Sequence, residues 1–333
     1  MSAEMKTSRR AALALATSAL AAMATALPAA AQDAAAGYPK GPVKMLVGFA
    51  PGGGNDIIGR IIAAKLTERM GQPFVVENRT GAGGIVAAEA AARAAPDGQT
   101  LLIGPIGTMV FNPVLFKKLP YDPEKSFKWI TMVADYPLYL TVKASLPVKN
   151  VKELIAHAKA NPKEANYAST SGVFQMTNEL FKLRTKSQFE MIPFRSSNEM
   201  IQAVVTGQSM IAFIDPTALM PQYKAGTVRL LASTGAKRVP DYPEIPTLEE
   251  EGVPGVVVAG YTGLLAPAAT PDAIVKKLEA EVNEILKSKD VIERFKTLAV
   301  YPVGGKGEDH AAQNKKDLAL WREVVKQANI PLQ

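Results

Sequence analysis

Val43-Lys44-Met45-Leu46-Val47-Gly48-Phe49-Ala50-Pro51-Gly52-Gly53-Gly54-Asn55-Asp56-Ile57-Ile58-Gly59-Arg60 decides how the rest of this chain is read. Val43 to Phe49 is a short, mostly apolar run bounded by Pro42 and Pro51, the pattern of a strand covered on both faces. Gly52, Gly53 and Gly54 follow. Lacking a Cβ, they can turn sharply and let an anion approach their backbone N–H groups. Asn55 or Asp56 is a reasonable helix cap, and Ile57, Ile58, Ile61, Ile62 and Leu66 then recur at helical spacing. The free N–H groups and the positive end of that helix therefore point into the turn, which makes it an anion site. The G-x-G-x-x-G spacing is missing and no Gly-Lys-Ser/Thr follows. A nucleotide phosphate cradle is thus disfavoured against another small anion or a purely structural turn.

Toward the C-terminus the same logic repeats. The first helix should stop at Gly71, Phe74 to Glu77 reads as a second strand, and Asn78 to Gly84 as another glycine loop. An alanine-rich helix spans Ile85 to Ala95, and Leu101 to Gly104 is a third strand. This β-α-β-α-β order implies a parallel sheet with right-handed crossovers. Ligands of such sheets bind beyond the carboxyl ends of the strands, where the first loop and Thr108 both lie. Phe111 to Ser126 reads as loop. Tyr136 to Val142 reads as a crossing into a second lobe, and Val256 to Leu265 as the return.

Within the second lobe, Asn166 to Gly172 is again strand, small-residue turn and helix start, so Ser169, Thr170, Ser171 and Gly172 form a second candidate anion cradle. Arg195, Ser196, Ser197 and Asn198 precede a helix over Glu199 to Thr206 and are read as its cap. Met210 to Asp215 is a buried strand ending in an acid. Asp215 either caps the next helix or selects an amine or hydroxyl on a ligand.

Toward the N-terminus the pattern is of another kind. Lys6, Arg9 and Arg10 precede an apolar, alanine-rich stretch from Ala11 to Leu27, and Ala29-Ala30-Ala31 supplies a small-residue cleavage site. Residues 1–31 are read as a secretory signal peptide, which predicts export to a bacterial periplasm. No later apolar run is long enough to span a bilayer. The formal charge of +7 loses two units with Glu4, Lys6, Arg9 and Arg10, leaving +5, an excess that attracts anions. The basic residues are scattered among acids, so nucleic acid is not an expected partner.

With 333 residues, 47% of them hydrophobic and 21% charged, the chain can build two folded lobes. It contains no cysteine, so thiol catalysis and disulfides are excluded, and only His157 and His310 are histidines. A serine hydrolase using Ser169 or Ser171 beside Asp215 would need a nearby base, and neither histidine is placed to serve. Gly-x-Ser-x-Gly and His-Glu-x-x-His are both absent. The chain reads as a binding protein, not an enzyme, with no cofactor and no metal.

The chain closely resembles the extracytoplasmic solute receptors of the tripartite tricarboxylate transporter, also called the Bordetella uptake gene family. The resemblance spans the chain beyond the leader. Gly48 to Asp56, Val75 to Gly84 and Ala95 to Leu102 carry it, with Leu119 to Pro123, Asn166 to Ser169, Lys224 to Gly226 and Gly263 to Pro267. It implies an α/β, two-lobed type II periplasmic-binding-protein-like fold, each lobe a central mostly parallel sheet flanked by helices. Residues 38–137 plus 262–333 would form lobe 1 and 138–261 lobe 2. It also implies a monomer that holds a small carboxylate (a di- or tricarboxylate or an aromatic carboxylate) in the interlobe cleft. Phe49, Ala50, Pro51, Gly52, Gly53, Asn55 and Asp56 would serve in the first loop, and Ser169 to Gly172 in the second.

The partner would be the permease subunits of a tripartite transporter or, alternatively, a membrane sensor. Two departures bear on specificity. Ser171-Gly172-Val173-Phe174-Gln175-Met176 stands where the family runs Gly-Asn-Gly-Thr toward a histidine, and Phe194-Arg195-Ser196-Ser197 where it has Tyr-Lys-Gly-Ser. Arg195 is either a bidentate carboxylate ligand or a solvated rim residue. Phe174 and Met176 either line an apolar ligand surface or belong to the core of the following helix.

Overall fold

Short, nearly continuous apolar runs alternate with segments of helical spacing, and among the described residues they form strands and helices in turn. The computed structural model describes residues 35–170, 172–327 and 330–332. The signal-peptide reading of 1–31 and Ser171 lie outside them. Strand β1 (Val43–Val47) leads through the glycine turn into helix α1 (Gly54–Met70). Ile58, Ile62 and Leu66, each one turn apart, are fully buried. Each such side chain contributes about 1.5–3 kcal/mol by leaving water. Gly71 ends α1 in the left-handed conformation, with its N–H on the Thr67 carbonyl.

The first sheet has the order β11-β4-β10-β3-β1-β2. It comprises β1, β2 (Phe74–Asn78), β3 (Thr100–Pro105), β4 (Phe127–Pro137), β10 (Ala259–Pro267) and β11 (Tyr301–Gly304). β2, β1 and β3 are parallel neighbours, and β10 runs antiparallel between β3 and β4. The second sheet has the order β7-β6-β8-β5-β9. It comprises β5 (Tyr139–Lys143), β6 (Asn166–Ser169), β7 (Glu190–Pro193), β8 (Ile211–Ile214) and β9 (Val228–Ser233). β7, β6 and β8 are parallel, and β5 is reversed between β8 and β9.

The two sheets thus share one plan. Three parallel strands are followed by one reversed strand that arrives from the other lobe, then by a strand restoring the first direction. The crossing occurs at Leu138, between β4 and β5, with no loop at all. Ala259, Gly260 and Tyr261 pair with Pro137, Tyr136 and Asp135, which puts them in the first sheet, not in the second lobe where a boundary at 262 would leave them.

The helices are α1, α2 (Ile85–Ala92), α3 (Asn112–Leu115), α4 (Val151–Ala160), α5 (Val173–Thr185), α6 (Ser197–Thr206), α7 (Pro216–Lys224), α8 (Asp272–Lys287), α9 (Lys289–Thr297) and α10 (Gly307–Gln327). The stretch expected to be loop after Phe111 is partly helical. A wide turn over Gly107–Phe111 runs straight into α3, whose Pro113 sits in the first turn, where a missing N–H costs nothing. Among the described residues no helix is long and apolar enough to cross a membrane.

Candidate functional site

The carboxyl ends of β1, β2, β3, β6, β7 and β8 all open into one narrow cleft between the two sheets. Phe49 and Ala50 follow β1, Gly83 follows β2, and Ile106 and Gly107 follow β3. From the second sheet come Thr170, Ser196 and Asp215, following β6, β7 and β8 respectively. The cavity within it has a volume of about 40 Å³, room for only a few waters.

Helix N-termini converge on this space. α1 begins at Gly54, the turn into α3 at Gly107, α5 at Val173 and α6 at Ser197, and all four of these residues line the cleft. The first N–H groups of a helix lack intrahelical acceptors and carry the positive end of its dipole. In α1 the first intrahelical acceptor bond runs from Ile57 N–H to Gly53 O, so the N–H groups of Gly54, Asn55 and Asp56 precede the ladder. No Lys, Arg or His is among the described residues that line the cleft. Whatever positive charge it offers an anion therefore comes from helix N-termini, and its one charged lining side chain among the described residues, Asp215, is acidic.

The first loop is built differently from its sequence expectation. Neither Asn55 nor Asp56 caps α1. Gly53 takes the cap position and offers no side chain, because the glycine run lets the chain turn helical one residue earlier. Asn55 lines the cleft, and its side-chain oxygen accepts the Thr262 hydroxyl at 2.8 Å. Asp56 does not reach the cleft. Only 2% exposed, it accepts Gly52 N–H at 2.9 Å, Asn78 Nδ2 at 2.8 Å and Arg60 Nε at 2.9 Å. Burial pushes its carboxyl up, but the Arg60, Gly52 and Asn78 hydrogen bonds outweigh burial and hold it below its ordinary value. Gly52 N–H is therefore engaged by Asp56, and Pro51 lies exposed outside the residues that line the cleft.

Other expected residues divide in the same way. Thr108 is 1% exposed and buried behind the cleft, its hydroxyl near the Gly83 carbonyl at 3.4 Å and its own carbonyl accepting the Tyr121 hydroxyl. It braces the second glycine loop, and Gly107, one residue earlier, takes its place on the rim. Ser169 is fully buried as well, and its carbonyl accepts Phe194 N–H at 2.7 Å. Thr170 lines the cleft, and Gly172 stands at the cap position of α5 with φ +65°. Arg195 is exposed and absent from the lining, with its N–H bonded to the Glu199 carboxylate at 2.9 Å. Because the backbone alternates at the end of β7, Ser196 turns inward and caps α6, and Arg195 turns out.

Sequence reasoning left Ile106, Gly107, Tyr136, Val173 and Ser197 out of the site. Ile106, Gly107, Val173 and Ser197 give only a positional signal, just beyond a strand end or at a helix start, and Tyr136, inside β4, gives not even that. Phe174 both lines the cleft and packs, partly buried, against both hydrophobic clusters of the molecule, whereas Met176 is fully buried. Asp215 is 3% exposed and does two things. It accepts the Thr217 hydroxyl and Ala218 N–H (3.4 Å) as the cap of α7, and it faces the cleft. Burial, followed by the charge of Asp215, pushes the Tyr136 phenol well above the ordinary tyrosine range, partly offset by a hydrogen bond with Thr262. Tyr136 is thus a neutral hydroxyl on the cleft floor.

A cleft of this kind, made by two similar sheets joined through crossing strands and lined by helix starts, defines a two-lobed solute-binding protein. Residues 58–330 match the family model described as tripartite tricarboxylate transporter family receptor, and the chain belongs to that family. The protein BugT of Bordetella pertussis is 31% identical over 298 residues, covering 89% of this chain and 91% of that protein. The structure described as R. palustris Rpa4515 with adipate superposes with a TM-score of 0.86 at 33% identity, covering 89% of this chain and all (100%) of that one. MatC from Rhodopseudomonas palustris with bound malate gives 0.82 at 32% identity, covering 86% and 100%. The family model describes a receptor, the class of protein that the sequence reads as.

Proposed function

We propose that this chain is a periplasmic receptor that captures a small carboxylate between its lobes and presents it to the membrane subunits of a tripartite transporter. The observation that carries this reading is the convergence of three helix N-termini and the helical turn at Gly107 on a cleft with no cationic side chain among the described residues lining it. Such a site stabilises a compact anion through fixed N–H groups that need no reorganisation on binding. The adipate and malate bound by the two similar receptors support a carboxylate ligand. The leader-like residues 1–31 support export.

Binding should draw the lobes together, and the closed pair is the shape a membrane partner can recognise. The lobes already touch: Asn198 Nδ2 donates to Gly52 O at 3.3 Å across the cleft. Thermal-shift screening of the chain without residues 1–31 against mono-, di- and tricarboxylates, followed by calorimetry, tests the ligand class. Ligand at about a hundred times Kd should stabilise the fold by roughly 2.7 kcal/mol. No shift with any carboxylate, in protein freed of co-purified ligand, would count against the reading. Uptake of the bound ligand in cells lacking the protein tests the transport role, and unimpaired uptake would instead favour a sensor.

A further inference from the structure

We infer that the cleft takes a ligand with one carboxylate and, at its other end, a hydrogen-bond donor such as a hydroxyl or an ammonium group, in preference to a dicarboxylate. This rests on the carboxylate reading above and narrows it. The only charged side chain among the described residues lining the cleft is Asp215, and it is acidic. Its Oδ1 accepts from Thr217 and Ala218, so it meets its surroundings as an acceptor. It also stands against the start of α1, since a Cβ built on Gly54 would lie 3.0 Å from Asp215 Oδ1.

That proximity places the protein's own carboxylate beside the start of α1. The helix starts left for a ligand carboxylate are those of α5 at Val173 and α6 at Ser197, with Gly107 beside them on the rim. A second carboxylate reaching toward Asp215 would meet a like charge in a buried setting, with no lysine, arginine or histidine among the described residues lining the cleft to offset it. Arg195, the residue the sequence offers for that task, is turned to solvent. A hydroxyl or ammonium group at the same place would donate to Asp215, with the Asn55 side chain and the Tyr136 hydroxyl beside it. Between the two ends, Phe49, Ile106, Val173 and Phe174 offer apolar contact to a short carbon chain.

Calorimetry at neutral pH would compare succinate, glutarate and adipate with the ω-hydroxy and ω-amino acids of matching chain length. The expected result is that the donor-ended acid binds about tenfold or more tightly than the diacid at the best length, since a hydrogen bond to a charged group is worth about 1.5–3 kcal/mol. In Asp215→Asn that preference should fall to about threefold or less. Asparagine caps a helix about as well as aspartate, so α7 keeps its start. Diacids binding as tightly as donor-ended acids in the wild-type protein would overturn the inference without any variant. So would a preference unchanged in Asp215→Asn, or tight diacid binding accompanied by uptake of one proton, which would make Asp215 a donor. Failure of every carboxylate to bind would overturn the carboxylate reading itself, a result distinct from binding without end preference.

Discussion

Gly107 and Gly172 meet across the cleft: a Cβ built on Gly172 would lie 3.0 Å from the Gly107 Cα. Gly107 opens the helical turn after β3 in one lobe, and Gly172 caps α5 in the other. The lobes come together at two backbones without side chains, so small changes in lobe angle are sterically legible there.

Replacing Gly172 by alanine should hold the lobes apart. The position has φ +65°, which side chains rarely adopt, so strain of about 1–3 kcal/mol adds to the contact. The expected outcome is a lower melting temperature, weaker ligand binding, and a smaller ligand-induced decrease in radius of gyration by small-angle scattering. Unchanged compaction on ligand addition would show that this contact does not govern closure.

Gly48 tests how the two glycine loops of the first lobe fit together. A Cβ there would lie 2.5 Å from the Gly84 Cα, and backbone cannot give way as a flexible side chain can. Gly48→Ala should cost about 1–3 kcal/mol in chemical denaturation. Gly53→Ala is the control, with φ −78° and the Ala50 carbonyl oxygen 3.4 Å from the added Cβ, and it should stay within about 0.5 kcal/mol of wild type.

Asp56 anchors the first loop from behind, and its lowered carboxyl gives a pH signature. A group held below its unfolded value contributes stability that is complete above that value, 3.8, and is lost as pH falls through 3.8 toward the lower folded value. Asp56→Asn should therefore destabilise by about 1.5–3 kcal/mol at neutral pH, with half-exposed Arg60 keeping the loss toward the lower figure. Urea melts of both proteins at descending pH should show the gap closing below about pH 4. A gap that stays constant would mean that the loop is held by packing and not by charge.

At high pH the sign reverses. Burial holds the phenols of Tyr38, Tyr121, Tyr136, Tyr139, Tyr167 and Tyr261 above the ordinary value of 10.0. A raised value means stability that is whole below 10.0 and is lost as pH rises toward the folded values. Tyrosinate absorbance should accordingly rise in step with loss of circular dichroism. A smooth rise from pH 10.0 with native dichroism would show these rings to be open to solvent.

Periodicity and glycine chemistry made most of this protein legible in its sequence. Val43 to Gly54 could only be strand then turn, because an apolar run cannot continue past Pro51 and three glycines. Ile58, Ile62 and Leu66 could only be one buried face of a helix. The two-lobed plan followed from repeats of that unit, and the carboxyl ends of its strands located the cleft. Asp215 was legible as an alternative, cap or ligand selector, and tertiary structure shows it capping α7 and facing the cleft at once.

What tertiary structure alone decided was direction. Whether Asp56 faces a ligand or Arg60, and whether Arg195 or Ser196 points inward, turns on a single residue of phase at a strand end or helix start. Local propensity is indifferent to such a step, while burial against a partner lobe is not. The same holds for Gly107 and Gly172, 65 residues apart in sequence. Their sequences specify two turns that need no side chain, and only the packing of one lobe on the other shows that each turn leaves room for the other.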